Sequence, residues 1–107
     1  MLIKLLNNYS AELTIGAIKD ICTNNTIDFS DFVKKISELS EKGEVNNSHI
    51  DLLTDIIIYS IKWGEKKGGR DIEVDKIREE VNCLQLAEIF EKSVKIISLF
   101  AEASSPQ

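Results

Sequence analysis

The chain has 107 residues, of which 43% are hydrophobic and 29% charged, the proportions of an ordinary globular domain. Its formal charge of −5 argues against binding nucleic acid through phosphates, which requires clustered lysine and arginine. The single proline, Pro106, lies near the C-terminus, so helices can run unbroken before it. These features predict one helical domain over residues 1–107.

The N-terminal segment is apolar for too few residues to form the core of a signal peptide. No stretch approaches the roughly 18 apolar residues that a membrane span requires. We therefore expect a cytoplasmic protein with no membrane partner. Cys22 and Cys83 each fall within an apolar helical pattern, which predicts buried free thiols rather than a disulfide.

Residues 1–10 are predicted to form an N-terminal arm, with a possible short strand over residues 1–6 and a polar turn after it. Ser10 is a plausible N-cap for a first helix. Apolar residues of that helix recur with the 3.6-residue period, and polar residues 23–26 are expected to end it. The members of this stripe are Leu13, Ala17, Ile18 and Ile21.

A second, amphipathic helix is predicted to begin at Asp28 or Ser30, either of which can cap it. Gly43 lies where a left-handed residue is expected to end this helix. Its opposite face is polar, which is typical of a surface helix. The apolar stripe consists of Phe29, Phe32, Val33, Ile36 and Leu39.

The third helix is predicted over residues 48–63, with apolar residues nearly all round it, so we assign it to the centre of the domain. A buried strand around residues 56–59 is the alternative, because short β-branched runs are ambiguous. The glycine-rich residues 64–70 are predicted to form a flexible loop. A short helix capped by Asp75 follows it, with Ile77 and Val81 on its apolar edge and a break at Asn82.

A last helix is predicted over residues 84–101, with residues 102–107 as a frayed tail. One apolar stripe comprises Leu86, Ile89, Phe90, Ile97 and Phe100, and Val94, Ile96 and Leu99 lie beyond it. So wide an apolar surface needs either the central helix or another chain to cover it. The predicted fold is thus an all-α bundle of four to five helices. The candidate partner-binding residues are Leu86, Phe90, Val94 and Ile97, together with Trp63 at the edge of the glycine loop.

Residues that carry chemistry do not combine into a catalytic or cofactor site. His49, the single histidine, has no nucleophile and orienting acid around it in a recognisable pattern, so a surface or capping role is expected. The acids of residues 71–75 resemble the start of a calcium loop, but Lys76 and Asn82 replace the glycine and glutamate that such a loop needs. We predict no metal, no cofactor and no enzymatic activity.

The glycine loop is also unsuited to phosphate. The spacing of Gly64 and Gly69 fits a phosphate-binding loop, but Arg70 and Asp71 replace its lysine and hydroxyl residue. Basic residues do cluster beside Trp63, either as a contact for an acidic partner segment or for nucleic acid, or as an ordinary solvated loop, which the short charge run favours. These residues are Lys62, Lys66, Lys67 and Arg70.

The order of motifs resembles the small helical tail assembly chaperones of long-tailed bacteriophages over residues 13–99. The motifs are LTIGAIKDI at 13–21, DFSDF at 28–32, DLL at 51–53, IIYSI at 57–61 and DIEVDKI at 71–77. The resemblance implies an all-helical protein of the host cytoplasm that binds the tape-measure protein, and tail-tube subunits as a further partner. Self-association into a homo-oligomer fits the same role.

Two other functions remain open at this stage. A small acidic viral regulator or inhibitor that binds a host protein would share this size and charge. A helical DNA-binding regulator would need a recognition helix rich in arginine, lysine, asparagine and glutamine at its N-terminal end, and no segment has that pattern. We therefore expect a protein partner rather than nucleic acid.

Overall fold

The computed structural model describes residues 1–42 and 45–104. Within them, strands β1 (Leu2–Lys4) and β2 (Asn8–Ser10) pair as an antiparallel hairpin, with Ile3 opposite Tyr9. Helices follow, namely α1 (Ile15–Asn25), α2 (Phe29–Lys42), α3 (Asn47–Lys67), α4 (Val74–Asn82) and α5 (Leu86–Ser104). The predicted all-α class is confirmed, and the N-terminal arm is a hairpin rather than a single strand.

Helix α3 forms the centre of the molecule. Its isoleucines at 56, 57, 58 and 61 are all fully buried because α1, α4 and α5 each pack against α3. This many-sided packing explains why apolar residues surround the helix, and the alternative of a strand over residues 56–59 is excluded. The radius of gyration of 13.0 Å is that of one compact domain of this length.

The start of α1 differs from the prediction. Thr14 is its N-cap, and the Thr14 side chain accepts a hydrogen bond from the Ala17 amide at 3.1 Å. Ser10, the predicted cap, belongs to β2 and pairs with Leu2, because the chain stays extended until residue 14. The helix ends as expected, at Asn25, before a left-handed Thr26.

Helix α2 is capped by Asp28, one of the two residues predicted as its N-cap. The Asp28 side chain accepts the Asp31 amide at 2.9 Å, which is the hydrogen bond of an N-cap. Within α2, Phe32 is buried while Phe29 and Val33 are exposed, so only part of the predicted stripe faces the core. Gly43, predicted to end this helix, lies outside the described residues.

Helix α3 extends beyond its predicted limits at both ends. Asn46 is its N-cap and forms a capping box with His49, so the capping role expected for His49 is confirmed. The helix continues through Gly64 to Lys67, and the loop predicted from residue 64 begins only at Gly68. Gly64 is helical and buried, and it must be glycine because the backbone of Ser10 and Ala11 passes directly over it.

Helix α4 starts at Val74 with Glu73 at the N-cap position, so the prediction of an Asp75 cap is wrong and Asp75 lies in the first turn. The predicted break at Asn82 is confirmed, as is the apolar edge of Ile77 and Val81, both fully buried. Helix α5 continues to Ser104, so residues 102–104 are helical rather than frayed. The remainder of the predicted tail, residues 105–107, lies outside the described part of the chain.

Candidate protein-binding groove

The buried face of α5 differs from the stripe predicted for it. Ile89, Ser93 and Ile96 are buried, and their spacing of four and three residues turns them towards α3. Ile96 was predicted to lie beyond the core stripe, whereas it is only 2% exposed. The Ser93 hydroxyl is satisfied within the helix, since it donates to the Ile89 carbonyl at 2.7 Å.

The adjacent face of α5 borders a groove. Phe90, Val94 and Ile97 form one wall, Ile36 and Leu39 of α2 form the other, and Leu53 of α3 contributes to the lining between them. This cavity has a volume of about 330 Å³. Its residues range from the buried Leu53 to Val94, which is 54% exposed. Ser98 completes the lining, and we call these seven residues the α2–α5 groove.

The groove exists because α2 lies away from α5. Helix α2 packs mainly against α1, whereas α1, α4 and α5 make the extensive contacts with α3. Phe32 is the buried anchor of α2, and its ring lies 6.2 Å from that of Phe29. The apolar residues that follow along α2, Ile36 and Leu39, are only partly buried.

Three of the predicted partner-binding residues therefore lie together, and two do not. Phe90, Val94 and Ile97 line the α2–α5 groove. Leu86 is exposed at the first position of α5 and is not among the lining residues. Trp63 lies ten residues along α3 from Leu53, at a different level of the molecule.

Trp63 packs within the protein, over α1. A Cβ atom at Gly16 would lie 2.7 Å from the Trp63 ring, so glycine is what allows the ring to approach α1. The indole N–H donates to the Asp20 carboxylate at 2.7 Å. Lys62 and Lys66 lie over the ring, with their ammonium nitrogens 5.3 and 5.0 Å from its centre. Trp63 thus stabilises the contact between α1 and α3.

The basic cluster around Trp63 is largely neutralised by ion pairs. Lys62 lies 3.1 Å from Asp20, Lys67 lies 2.9 Å from Glu12, and Arg70 lies 2.8 Å from Glu65. The carboxylates reduce the positive potential that a nucleic acid or an acidic peptide would meet there. This arrangement favours the interpretation of the cluster as solvated surface.

A shallower apolar depression adjoins the groove. It is lined by Met1 and Leu2 of the hairpin end and by Val94, Ser98 and Leu99 of α5, with Lys95 as the one charged residue in the lining. Val94 and Ser98 also line the α2–α5 groove, so the two depressions meet on α5. Leu2 and Leu99 are 77% and 47% exposed. The apolar surface is therefore continuous around α5 and larger than the groove alone.

A second feature, which the hydrophobic pattern did not reveal, is the buried carboxylate of Glu80. Glu80 of α4 is 5% exposed and accepts a hydrogen bond from the Tyr9 hydroxyl. The backbone and side-chain amides of Asn7 also donate to Glu80, at 3.0 and 3.3 Å. These bonds join the turn of the hairpin to α4, and they explain why a carboxylate is tolerated among apolar residues.

Alkaline pH is expected to loosen this junction. Burial and then the hydrogen bond to Glu80 raise the pKa of Tyr9 above its ordinary value of 10.0. Because the folded chain holds this proton more tightly than the unfolded chain, the stabilisation is complete below that value and is lost as pH rises through the raised pKa. Urea midpoints measured from about pH 9 to about pH 11 should fall more steeply for the wild type than for Tyr9→Phe.

Burial also raises the pKa of Tyr59, so the Tyr9→Phe variant should keep part of the pH dependence. Both proteins share every other titratable group, and the difference between their slopes isolates Tyr9. Identical slopes would contradict the role assigned to the Tyr9 hydroxyl.

The remaining reactive side chains are occupied or isolated. His49 is buried, accepts the Asn46 amide on Nδ1 at 3.3 Å, and holds Nε2 3.6 Å from Glu38. Both cysteines are free as predicted, but neither is fully buried, since Cys22 is partly buried and Cys83 is exposed. Burial, followed by the nearby aspartates, raises the pKa of Cys22. Among the described residues, no three histidine, cysteine or acidic side chains are grouped as metal ligands.

The chain matches no protein-family model, no curated protein and no solved structure. Across the described part of the chain, none of the helices combines the length and apolar character needed to cross a bilayer.

Proposed function

We propose that this protein is a non-enzymatic chaperone that holds an amphipathic helix of a client protein in the α2–α5 groove. The client is the tape-measure protein of a long-tailed bacteriophage, with tail-tube subunits as further partners. The observation that carries the proposal is the groove itself, with apolar walls on two helices and Leu53 between them.

The spacing of the groove residues suits a helical client. Phe90, Val94 and Ile97 follow one another at intervals of four and three, so their side chains form a ridge along one face of α5. Ile36 and Leu39 repeat part of this spacing on α2. An amphipathic helix binds such a groove by placing its own residues at i, i+3, i+4 and i+7 between the two walls.

The charges around the groove leave its apolar walls accessible. On α5, Glu91 and Lys95 lie on the outer face and pair with each other at 3.5 Å, which reduces their net effect on a client. Val94, between them in sequence, exposes 54% of its surface although it borders buried residues. Burying the exposed half of the Val94 side chain contributes on the order of 1 kcal/mol, which adds to the driving force for binding.

The identity of the client comes from the resemblance to tail assembly chaperones. A tape-measure protein is a long helical molecule, and its chaperone needs apolar grooves rather than acid–base groups. The depression beside the groove supports this, because it extends the apolar surface of α5 beyond the groove itself.

Val94→Asp is expected to weaken client binding without unfolding the protein. The substitution places a charge in the wall of the groove at a half-exposed position, so binding should weaken at least about tenfold, which corresponds to about 1.4 kcal/mol. Leu6→Asp is the matched control, since Leu6 is 77% exposed and lies in the hairpin turn, outside the groove. Both variants should unfold within a few degrees of the wild type.

The measurement is calorimetric titration with helical fragments of the tape-measure protein, taken from the long coiled-coil reading frame expected immediately downstream of the gene. Equal affinity of Val94→Asp and Leu6→Asp would remove the groove from the proposal. Failure of every fragment, combined with capture of a host enzyme by the same protein, would support the inhibitor function instead.

A further inference from the structure

Over its described side chains, residues 29–39, helix α2 is attached to the rest of the molecule at few points. Among the α2 side chains from position 29 to 39, Phe32 alone is buried, and Ile36 and Leu39 are partly covered. The contacts of α2 with other helices are concentrated on α1. A helix with one buried anchor contributes far less to the core than α3, whose side chains are buried on several sides.

Polar contacts hold the second half of α2, and they are weak ones. Glu38 lies 3.6 Å from His49 Nε2, and Lys35 donates to the Ser48 hydroxyl at 3.3 Å. The Lys35–Ser48 bond is exposed to solvent, and Glu38 is one-third exposed. Interactions of this kind contribute little to stability, because water competes for the same groups.

Beneath α2 lies an apolar surface that belongs to the stable body of the protein. Leu53 is 2% exposed and sits on α3, which α1, α4 and α5 hold from the other sides. Displacing α2 would uncover Leu53 together with Phe90 and Ile97 and would leave the packing of those four helices intact. The α2–α5 groove would then widen into a trough as broad as a helix.

We propose that α2 is a displaceable lid, and that the client helix binds in the trough under it, against Leu53, at the positions that Ile36 and Leu39 occupy in the free protein. This inference rests on the proposed function and refines it: Leu53 and the α5 wall stay as the binding surface, whereas the client displaces the α2 wall of the groove. Because the client competes with α2, it should carry the pattern of α2, with apolar residues at i, i+4 and i+7 as in Phe32, Ile36 and Leu39.

Hydrogen exchange of the free, full-length protein tests the lid directly. If α2 opens by itself, amides of residues 33–39 should exchange at least about 100-fold faster than amides of residues 52–61. Their exchange should also change little with low concentrations of urea, because opening the lid exposes little surface. Exchange of the α3 amides should rise steeply with urea, since it requires global unfolding.

Two variants of α2 sharpen the test. Phe32→Ala should speed exchange of the α2 amides by at least about tenfold, whereas Val33→Ala, at a half-exposed position, should change it less than about threefold. Equal exchange rates and equal urea dependence in α2 and α3 would overturn the lid. No client is present in this experiment, so its outcome is independent of the groove mutations that test the proposed function.

Discussion

Replacing Gly64 by alanine is expected to lower the free energy of unfolding by about 3 kcal/mol, the upper part of the range for overpacking. The new Cβ would lie 2.6 Å from the Ser10 carbonyl oxygen and 2.7 Å from the Ala11 Cα. These atoms belong to the backbone and cannot rotate away, so the segment after β2 must move off α3. That movement also strains the hydrogen bond from the Glu12 amide to the Ser60 carbonyl, now 2.9 Å.

Gly68→Ala is the matched control, four residues further along the chain. A Cβ there would meet its nearest neighbour at 3.5 Å, and the φ of −85° suits any residue. Its free energy of unfolding should rise by less than about 1 kcal/mol, because alanine restricts the unfolded chain. Urea unfolding of both variants checks the pair. A Gly64→Ala protein as stable as Gly68→Ala would contradict the close approach.

The different surroundings of Gly64 and Gly68 explain why the end of α3 was predicted too early in the sequence. Three glycines in six residues are typical of a loop, and nothing local distinguishes Gly64 from Gly68 or Gly69. Gly64 is required by a segment more than fifty residues earlier in the chain, which crosses the helix at that point. Gly16 has the same kind of role beneath Trp63. Such contacts depend on the tertiary fold, so periodicity does not reveal them.

The central position of α3 was predictable for the opposite reason. Burial on several sides leaves apolar residues all round a helix, and this pattern is present in the local sequence itself. The amphipathic character of α2 was equally clear, but the sequence did not indicate how loosely α2 would pack. Its stripe of five apolar residues predicted a buried face, whereas Phe29 and Val33 are exposed.

The candidate groove was predicted in part. The excess of apolar residues on α5 indicated an uncovered surface, and Phe90, Val94 and Ile97 do line one. The prediction that Ile96 lies beyond the core-facing stripe was wrong, because Ile89, Ser93 and Ile96 are the residues of α5 that face α3. A buried serine does not stand out in a hydrophobic pattern, so the sequence did not indicate which face of α5 is buried. The sequence did not indicate that α2 forms the opposite wall of the groove.

Buried charge is the other property that the sequence concealed. Asp55 precedes the apolar run of α3 and nothing in its local sequence indicates burial, yet it is 2% exposed. Its Oδ2 atom accepts the side-chain amides of Asn24 and Asn25 at 2.6 and 2.8 Å, and its Oδ1 atom accepts Arg78 at 3.1 Å. One carboxylate thereby joins the end of α1 to α3 and α4.

Arg78→Met is expected to lower the free energy of unfolding by about 3 kcal/mol, because it leaves the Asp55 carboxylate buried without its counter-ion. The two asparagine amides remain, and about one-third of the Arg78 side chain is exposed, so the cost lies at the lower end for broken buried pairs. Methionine preserves much of the apolar stem of arginine, which limits the effect to the lost charge and hydrogen bond.

Lys67→Met removes the cation of an ion pair of similar length, between Lys67 and Glu12, whose side chains are 67% and 50% exposed. Water solvates the Glu12 carboxylate that remains, so this variant should lose less than about 1 kcal/mol. Urea unfolding at neutral pH compares the two. If both variants lost the same small amount, the amides of α1 would suffice to stabilise Asp55, and Arg78 would contribute no more than a surface ion pair. A large loss in Arg78→Met alone would identify the junction of α1, α3 and α4 as a charged core that holds the body of the protein together, independently of α2 and the groove.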